Sequence, residues 1–471
     1  MPDPTRDAMR VNAADSLTRQ RRTAGGLRRR GLAEGDRVAL LVPGSCDFVS
    51  AALGALRVGV VPVPLDPRLT ERELDALLDD IEPSLVVDDP GMLDELAAGP
   101  EEEVAPWPLA RPMHVTSGTT GRPKGVWSGV LPSDQAEGLT REEQELWGFE
   151  AGDRHLVLSP LYHSAPLRFA IGTLLAGGEV VVPGPFDAAR TAEVVAEHRP
   201  TTAFCVPAHL QRLFAHLDDT GTDLDLSCFR LVAHAGAPCP PPLKRRAMAE
   251  LGPEVLWEFY GSTEGQFTAC RSTEWEQRPG TVGRARPGRR LFVEDGVIWC
   301  VVPEHARFSY WRAPDKTESA WRQTPEGPAF TVGDLGRLDE DGYLYLDGRR
   351  EDLIISGGVN VYPLEVEQAL GEHPEVSEIA VFGVADEQWG QRVCAAVVGG
   401  ADADSLDAYA RERLSPPKRP KEYFTLPELP HTPTGKVRRL DLPDVVGTVG
   451  KADRDGRPGV APAQAWENVR R

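Results

Sequence analysis

The chain lacks the marks of a secreted, membrane-spanning or nucleic-acid-binding protein. Its seven cysteines (Cys46, Cys205, Cys228, Cys239, Cys270, Cys300, Cys394) are scattered through 471 residues, odd in number and without a C-x-x-C pair. That excludes a disulfide framework and fits a reducing compartment. No window approaches the roughly twenty uninterrupted apolar residues needed to cross a bilayer, so no transmembrane segment is expected, and the N-terminus has no apolar signal core. Basic side chains are outnumbered 52 to 72, for a net charge of −20. Such a surface repels polyanions and argues against a general nucleic-acid partner. Any polyphosphate must therefore find its positive charge locally. Internal repeats are absent. These features lead us to expect a cytoplasmic protein, a monomer or homodimer, whose partners are small molecules.

What is present is a globular composition, 41% apolar, long enough for two or three domains without metals or disulfides. After a polar, Arg-rich opening, short apolar runs alternate with amphipathic stretches, the pattern of parallel sheets covered by helices. Strands are expected at Val38–Val42, Val60–Leu65, Leu85–Val87, His155–Leu158, Glu179–Val182, Thr202–Val206, Leu231–His234 and Val255–Tyr260. Helices are expected at Phe48–Val58, Thr70–Asp80, Leu167–Ala176, Ala188–His198 and Ala208–Leu217. From Gly280 to Asp347 short alternating strands and Gly or Asp turns predict a small β-rich subdomain. Beyond Arg350 a compact α+β unit follows, with helices Pro363–Leu370 and Ser405–Leu414 and strands Ile379–Val384, Val393–Val398 and one near Phe424. Residues 446–471 read as a loose tail. The fold class is thus α/β: a large N-terminal domain (1–350) of doubly wound subdomains plus the β-rich part, then a small C-terminal domain (351–445).

The most informative stretch is Thr116-Ser117-Gly118-Thr119-Thr120-Gly121-Arg122-Pro123-Lys124-Gly125-Val126. Small residues leave backbone N–H groups and hydroxyls exposed, and Lys124 adds a mobile positive charge, so the loop can wrap a polyphosphate. It is not a Walker A loop, because Gly125 stands where Ser or Thr must follow the lysine. Pro123 and the three glycines resist helix formation.

The run resembles the phosphate loop of the acyl-adenylate-forming superfamily of acyl-CoA synthetases, adenylation domains and luciferases. Its other motifs follow in order: Tyr260-Gly261-Ser262-Thr263-Glu264, then Gly333-Asp334, then Gly348-Arg349 through Ser356-Gly357-Gly358 to Pro363-Leu364-Glu365-Val366-Glu367, and finally Pro433-Thr434-Gly435-Lys436. Similarity runs from about Leu27 to about Leu442. The resemblance implies that the C-terminal unit is mobile and that the chain uses ATP, Mg²⁺ and CoA.

Adenylation must offset negative charge on attacking, central and leaving groups together. Thr119, Thr120 and Lys124 suit the β- and γ-phosphates. Glu264, following an apolar strand and the turn at Gly261, could hold Mg²⁺ as a hard oxygen ligand, with Thr263 beside it at the α-phosphate. Asp334 matches the acceptor of both ribose hydroxyls, for which an acceptor-only carboxylate is apt. Arg349 matches a residue near ribose and phosphates. Gly236-Ala237-Pro238 resembles the segment on which adenine lies, with Tyr260 on the other face of the base; a structural turn remains the alternative for Gly236. Lys436 matches the lysine that bridges the substrate carboxylate and the α-phosphate. Gly357 and Gly358 resemble the loop lining the pantetheine channel. The family's hinge falls at Glu351, where aspartate is commoner.

Amino-acid-activating relatives usually carry an aspartate after the phosphate loop to bind the substrate ammonium. Here Leu158-Ser159-Pro160-Leu161-Tyr162-His163-Ser164-Ala165-Pro166 is apolar apart from hydroxyls and one histidine, which favours a carboxylic acid without an α-amino group. His163 matches an aromatic position gating the acyl pocket, the alternative being a satisfied core histidine. The pocket wall is expected to include Phe204, Val206, Pro207 and His209, with Ala235 and Gly236 near its floor. Three departures from the family pattern bear on the rim: a short N-terminus that starts within the first helix, an abbreviated 283–330 region, and Trp127 after the loop. The resemblance thus implies an acid–thiol ligase forming acyl-AMP and then an acyl-CoA. The alternative is an adenylating enzyme that serves a carrier-protein thiol or an amine, or activates a nitrogen oxyacid such as nitrite.

Overall fold

Each apolar run expected to be a strand between Val38 and Tyr260 pairs in a parallel sheet in the computed structural model, which describes residues 9–116, 124–349, 352–356, 359–386, 389–432 and 436–448, with backbone alone at 349, 360 and 448. Arg37–Leu40 sits between Val61–Pro64 and Leu85–Val87 in a three-stranded parallel sheet. The Cys46–Leu56 helix covers it and is buried all round from Phe48 to Leu56. A second parallel set runs in the order Glu179–Val181, Arg154–Val157, Thr202–Cys205, Leu231–His234 and Leu256–Glu258. Strands buried on both faces read as continuous apolar runs, which is why these were visible in the sequence.

The β-rich region is present, but it is continuous with the doubly wound body. Thr268–Arg271 pairs antiparallel with Leu256–Glu258 through its last two residues and with Thr281–Ala285 through its first two. It thereby passes the hydrogen-bond ladder on, and one 14-stranded sheet results. No sequence pattern marks such a handover.

The polar opening also differs from expectation. Arg10–Asn12 is a strand antiparallel to Glu179–Val181, and Asn12 caps the helix Ala13–Arg29 by accepting from the Asp15 N–H. The first helix is therefore described from its cap onward. It packs by small and polar groups: Ser16 Oγ meets Ser50 Oγ at 2.9 Å, and Gln20 donates to Ser16. Without an apolar stripe its periodicity was invisible.

The C-terminal unit has a core of its own, built on Ile354, Val366, Val381, Val393 and Leu406. Val376–Asp386 and Gly390–Gly399 form its long antiparallel pair, and Glu422–Thr425 adds in parallel. The helices Pro363–Leu370 and Ala403–Arg413 form as expected.

Candidate active site

A cavity of about 440 Å³ collects side chains from the N-terminal body and the C-terminal unit. His163, Gly236, Gly261, Thr263, Glu264 and Lys436 all line it, as do Phe204, Val206, His209 and Ala235. Pro207 does not; it is buried as the first residue of the Pro207–Thr220 helix.

The Gly261–Gln266 loop is the rigid feature of the site. Gly261 bridges to Gln266, and the Ser262 N–H donates to the Gly265 carbonyl at 2.9 Å. A Cβ at Gly261 would lie 2.8 Å from Gln266 Cα, so only glycine lets the two strands of the turn close. Glu264 is buried, and its Oε1 accepts from the Tyr310 hydroxyl at 2.8 Å. Burial, then the Glu264 charge, raises the Tyr310 hydroxyl far above its ordinary value, so it remains a donor. Among the described residues no three His, Cys, Asp or Glu side chains could hold a metal by themselves. A single buried carboxylate fits Mg²⁺, which is usually held by one or two carboxylates together with substrate phosphates.

Beside this loop the Tyr260 hydroxyl donates to Asp334 Oδ2 at 2.6 Å, and the sheet register sets Asp334 opposite Arg349. Tyr260 itself is buried against Phe267. Gly236 ends the Leu231–His234 strand with φ of +91°, a left-handed backbone that glycine adopts without strain, and Ala237 and Pro238 follow it at the surface of the turn.

Lys436 reaches the cavity from a tight bend. Its N–H donates to Thr432 Oγ1 at 3.1 Å, its carbonyl accepts from the Thr432 N–H at 2.7 Å, and His431 bridges to Val437. His163 precedes the Ser164–Leu175 helix with its ring edge-on to Tyr162. Its Nε2 has no hydrogen-bond partner among the described residues, so it is not a satisfied core histidine. Burial, with smaller contributions from His114 and Lys436, lowers it to about 3, and it is neutral near pH 7. His209 is likewise lowered by burial to about 4.

Ser117, Gly118, Thr119, Thr120 and Gly121 lie outside the described residues, as do Gly357, Gly358 and Glu351. Their flanks are defined: Thr116 pairs with Lys124 across an antiparallel hairpin, and Ser356 pairs with Val359. The Lys124 ammonium is not the mobile charge expected from the sequence, because it forms an ion pair with Asp80 at 2.8 Å.

The cavity wall also carries charges that the sequence reading did not name. In addition to apolar groups and hydroxyls, it carries Arg111, Glu143, Arg168, Arg286 and Arg289. Burial acts to raise the Glu143 carboxyl, but the charges of Arg168 and Arg286 outweigh it and hold the group at about 2. A sequence signal existed: Arg168 interrupts the apolar Leu167–Leu175 helical run, and Arg286 and Arg289 belong to the basic stretch 284–290.

A doubly wound body whose strand-end loops face a lysine from the C-terminal unit agrees with what the resemblance to acyl-adenylate-forming enzymes implies. The chain belongs to the AMP-binding enzyme family: residues 6–106 and 98–303 match that family, and 365–436 match the AMP-binding enzyme C-terminal domain. It is 31% identical to a long-chain-fatty-acid–CoA ligase of Mycobacterium tuberculosis over 93% of this chain and 94% of the relative. It is 34% identical to the 2-succinylbenzoate–CoA ligase of Geobacillus kaustophilus, covering 88% of both. Among solved structures, ATP-bound MatB from Rhodopseudomonas palustris superposes with a TM-score of 0.80 at 31% identity, over 93% of this chain and 94% of that one.

Proposed function

We propose that the protein is an ATP- and Mg²⁺-dependent acid–thiol ligase. A carboxylate oxygen of the substrate attacks the α-phosphorus of ATP, the bond to pyrophosphate breaks, and acyl-AMP forms. The CoA thiolate then attacks the acyl carbon, and AMP leaves with the bonding electron pair. The observation that carries this proposal is the meeting of Lys436 with Thr263, Glu264 and His163 on one cavity. In this scheme Lys436 lies between the two anionic reactants and screens their repulsion, Thr263 contacts the α-phosphate, and neutral His163 walls the acyl entrance. Asp334 accepts from the ribose hydroxyls, Gly236 to Pro238 and Tyr260 flank the adenine, and Arg349 assists near the phosphates. Glu264 would hold Mg²⁺, which when bound neutralises phosphate charge. The phosphate loop from Thr116 to Gly121, with Lys124 at its base, takes the leaving phosphates; Gly357 and Gly358 border the thiol channel.

The domain division proposed is 1–350 and 351 onward; the loose tail expected from 446 must begin later, because Val446 lies in the Leu442–Thr448 helix and is buried against the C-terminal unit. Among the described residues no helix is long and apolar enough to cross a membrane, and all seven cysteines are free. A cytoplasmic monomer or homodimer is consistent with both. The deciding measurement is acid-dependent exchange of labelled pyrophosphate into ATP over a panel of acids, followed by AMP release with and without CoA. Exchange together with CoA-dependent thioester is the expected result; exchange without thioester would reject CoA as the acceptor.

A further inference from the structure

Apart from Glu264, the charged wall has no part in the adenylation scheme above. Five arginines (111, 168, 212, 286 and 289) line the cavity against two carboxylates, Glu143 and Glu264. Glu143 lies 2.5 Å from Arg286 and 3.4 Å from Arg168. Just behind, Glu142 takes Arg289 at 2.8 Å and the His305 ring at 2.8 Å. Counting Glu142 as well, positive charge still exceeds negative.

These guanidiniums are withdrawn from water: the Arg286 side chain is 4% exposed and that of Arg289 is 6%. The Nε atoms of Arg286 and Arg168 are buried with no hydrogen-bond partner among the described residues. A purely structural ion-pair network would balance its charges and satisfy its donors, because a buried unpaired donor or charge is strongly unfavourable. This one is left short of an acceptor, and both arginines line the cavity, whose apolar surface includes Leu139, Ile171, Phe204 and Val206. Planar forked donors of this kind match a carboxylate.

We infer that the acid activated here carries a second carboxylate, remote from the reacting one, which is held by Arg168 and Arg286 at the charged end of the cavity. This deepens the ligase proposal and rests on it for the identity of the reacting end. The apolar surface then takes the carbon chain, while Lys436 meets the reacting carboxyl.

The test compares straight-chain dicarboxylates from succinate to suberate with monocarboxylates of equal length in pyrophosphate exchange. The wild type is expected to favour the best dicarboxylate by about 100-fold in kcat/KM, since a site built around polar donors rejects an analogue lacking their acceptor. Arg168→Met and Arg286→Gln should each erase most of that preference. Arg168→Met leaves Glu143 its Arg286 partner, so it serves even if Arg286→Gln fails to fold. Equal use of both acid classes by the wild type, or an equal loss for both in Arg168→Met, would overturn the inference. If no acid supports exchange, the ligase proposal fails separately, and calorimetry with the dicarboxylates alone decides. Binding that Arg168→Met abolishes sustains the site; absence of binding refutes it.

Discussion

Lys436 and Glu264 reach the same cavity from the C-terminal unit and the N-terminal body, and each is only as effective as the group that orients it. Lys436→Ala should lower pyrophosphate exchange by about 100- to 1000-fold while ATP still binds, as expected for loss of one preorganised charge at a transition state. Unchanged exchange would move the catalytic charge elsewhere. Tyr310 touches Glu264 but no proposed substrate atom, so Tyr310→Phe should act through the metal. Partners that orient a metal ligand typically alter affinity by about 10-fold or more, so the Mg²⁺ concentration giving half-maximal exchange should rise while the KM for the acid stays put. A shift in the acid KM alone would contradict that placement. Motifs made Lys436 and Glu264 legible in the sequence. Tyr310 was not, because nothing in residues 305–315 marks a hydroxyl that will meet a carboxylate 46 positions earlier.

Close helix approach is the theme at the level of elements. The Ala13–Arg29 helix contains Gly25 and Gly26, which intrinsic propensity would replace with alanine for a gain of about 1 kcal/mol. A Cβ on Gly26 would lie 2.2 Å from the Leu96 carbonyl oxygen, however, and backbone cannot yield as a side-chain tip can. Overpacking of this kind costs about 1–3 kcal/mol, so Gly26→Ala should lower the urea midpoint; a raised midpoint would show the helices less tightly apposed. Gly261→Ala belongs to the same class, but its damage should fall on exchange activity, because the loop it distorts carries Thr263 and Glu264. Parallel strands were readable from their mostly apolar character, Leu231–His234 and Leu85–Val87 to the residue and the others to within a few residues. The Ala13–Arg29 helix and the charge-rich Ser133–Trp147 helix were not, because their contacts are small or ionic rather than striped.

Buried histidines dominate the pH response of the whole molecule. Burial lowers His114 to about 4, His155 to about 3, His163 to about 3 and His209 to about 4. Their unfolded values lie near 6.5, so below that pH the unfolded chain binds more protons than the native one. Stability is therefore full above about pH 6.5 and falls as pH drops toward the folded values. At about pH 5 the loss is about 2 kcal/mol for each of the fully buried His114 and His155. Glu143 adds a second decline of the same sign, beginning near its unfolded value of about 4.5 and continuing toward 2. Urea titrations from neutrality to about pH 4 should show a steadily falling midpoint; a flat profile would mean that these groups are solvated.

The ordered motifs in the chain, through their resemblance to those of the acyl-adenylate-forming superfamily, were enough to determine the class of protein. Glycines, prolines and hydroxyls constrain a loop wherever it sits, and apolar runs declare buried strands without reference to their partners. Only the tertiary structure decided which charges share a space. Arg111, Arg168 and Arg286 are separated by 57 and 118 positions (168 − 111 and 286 − 168), and their common surplus of positive charge exists because folding brings them to one water-poor cavity, where Coulomb energy depends on distance and solvation rather than on sequence.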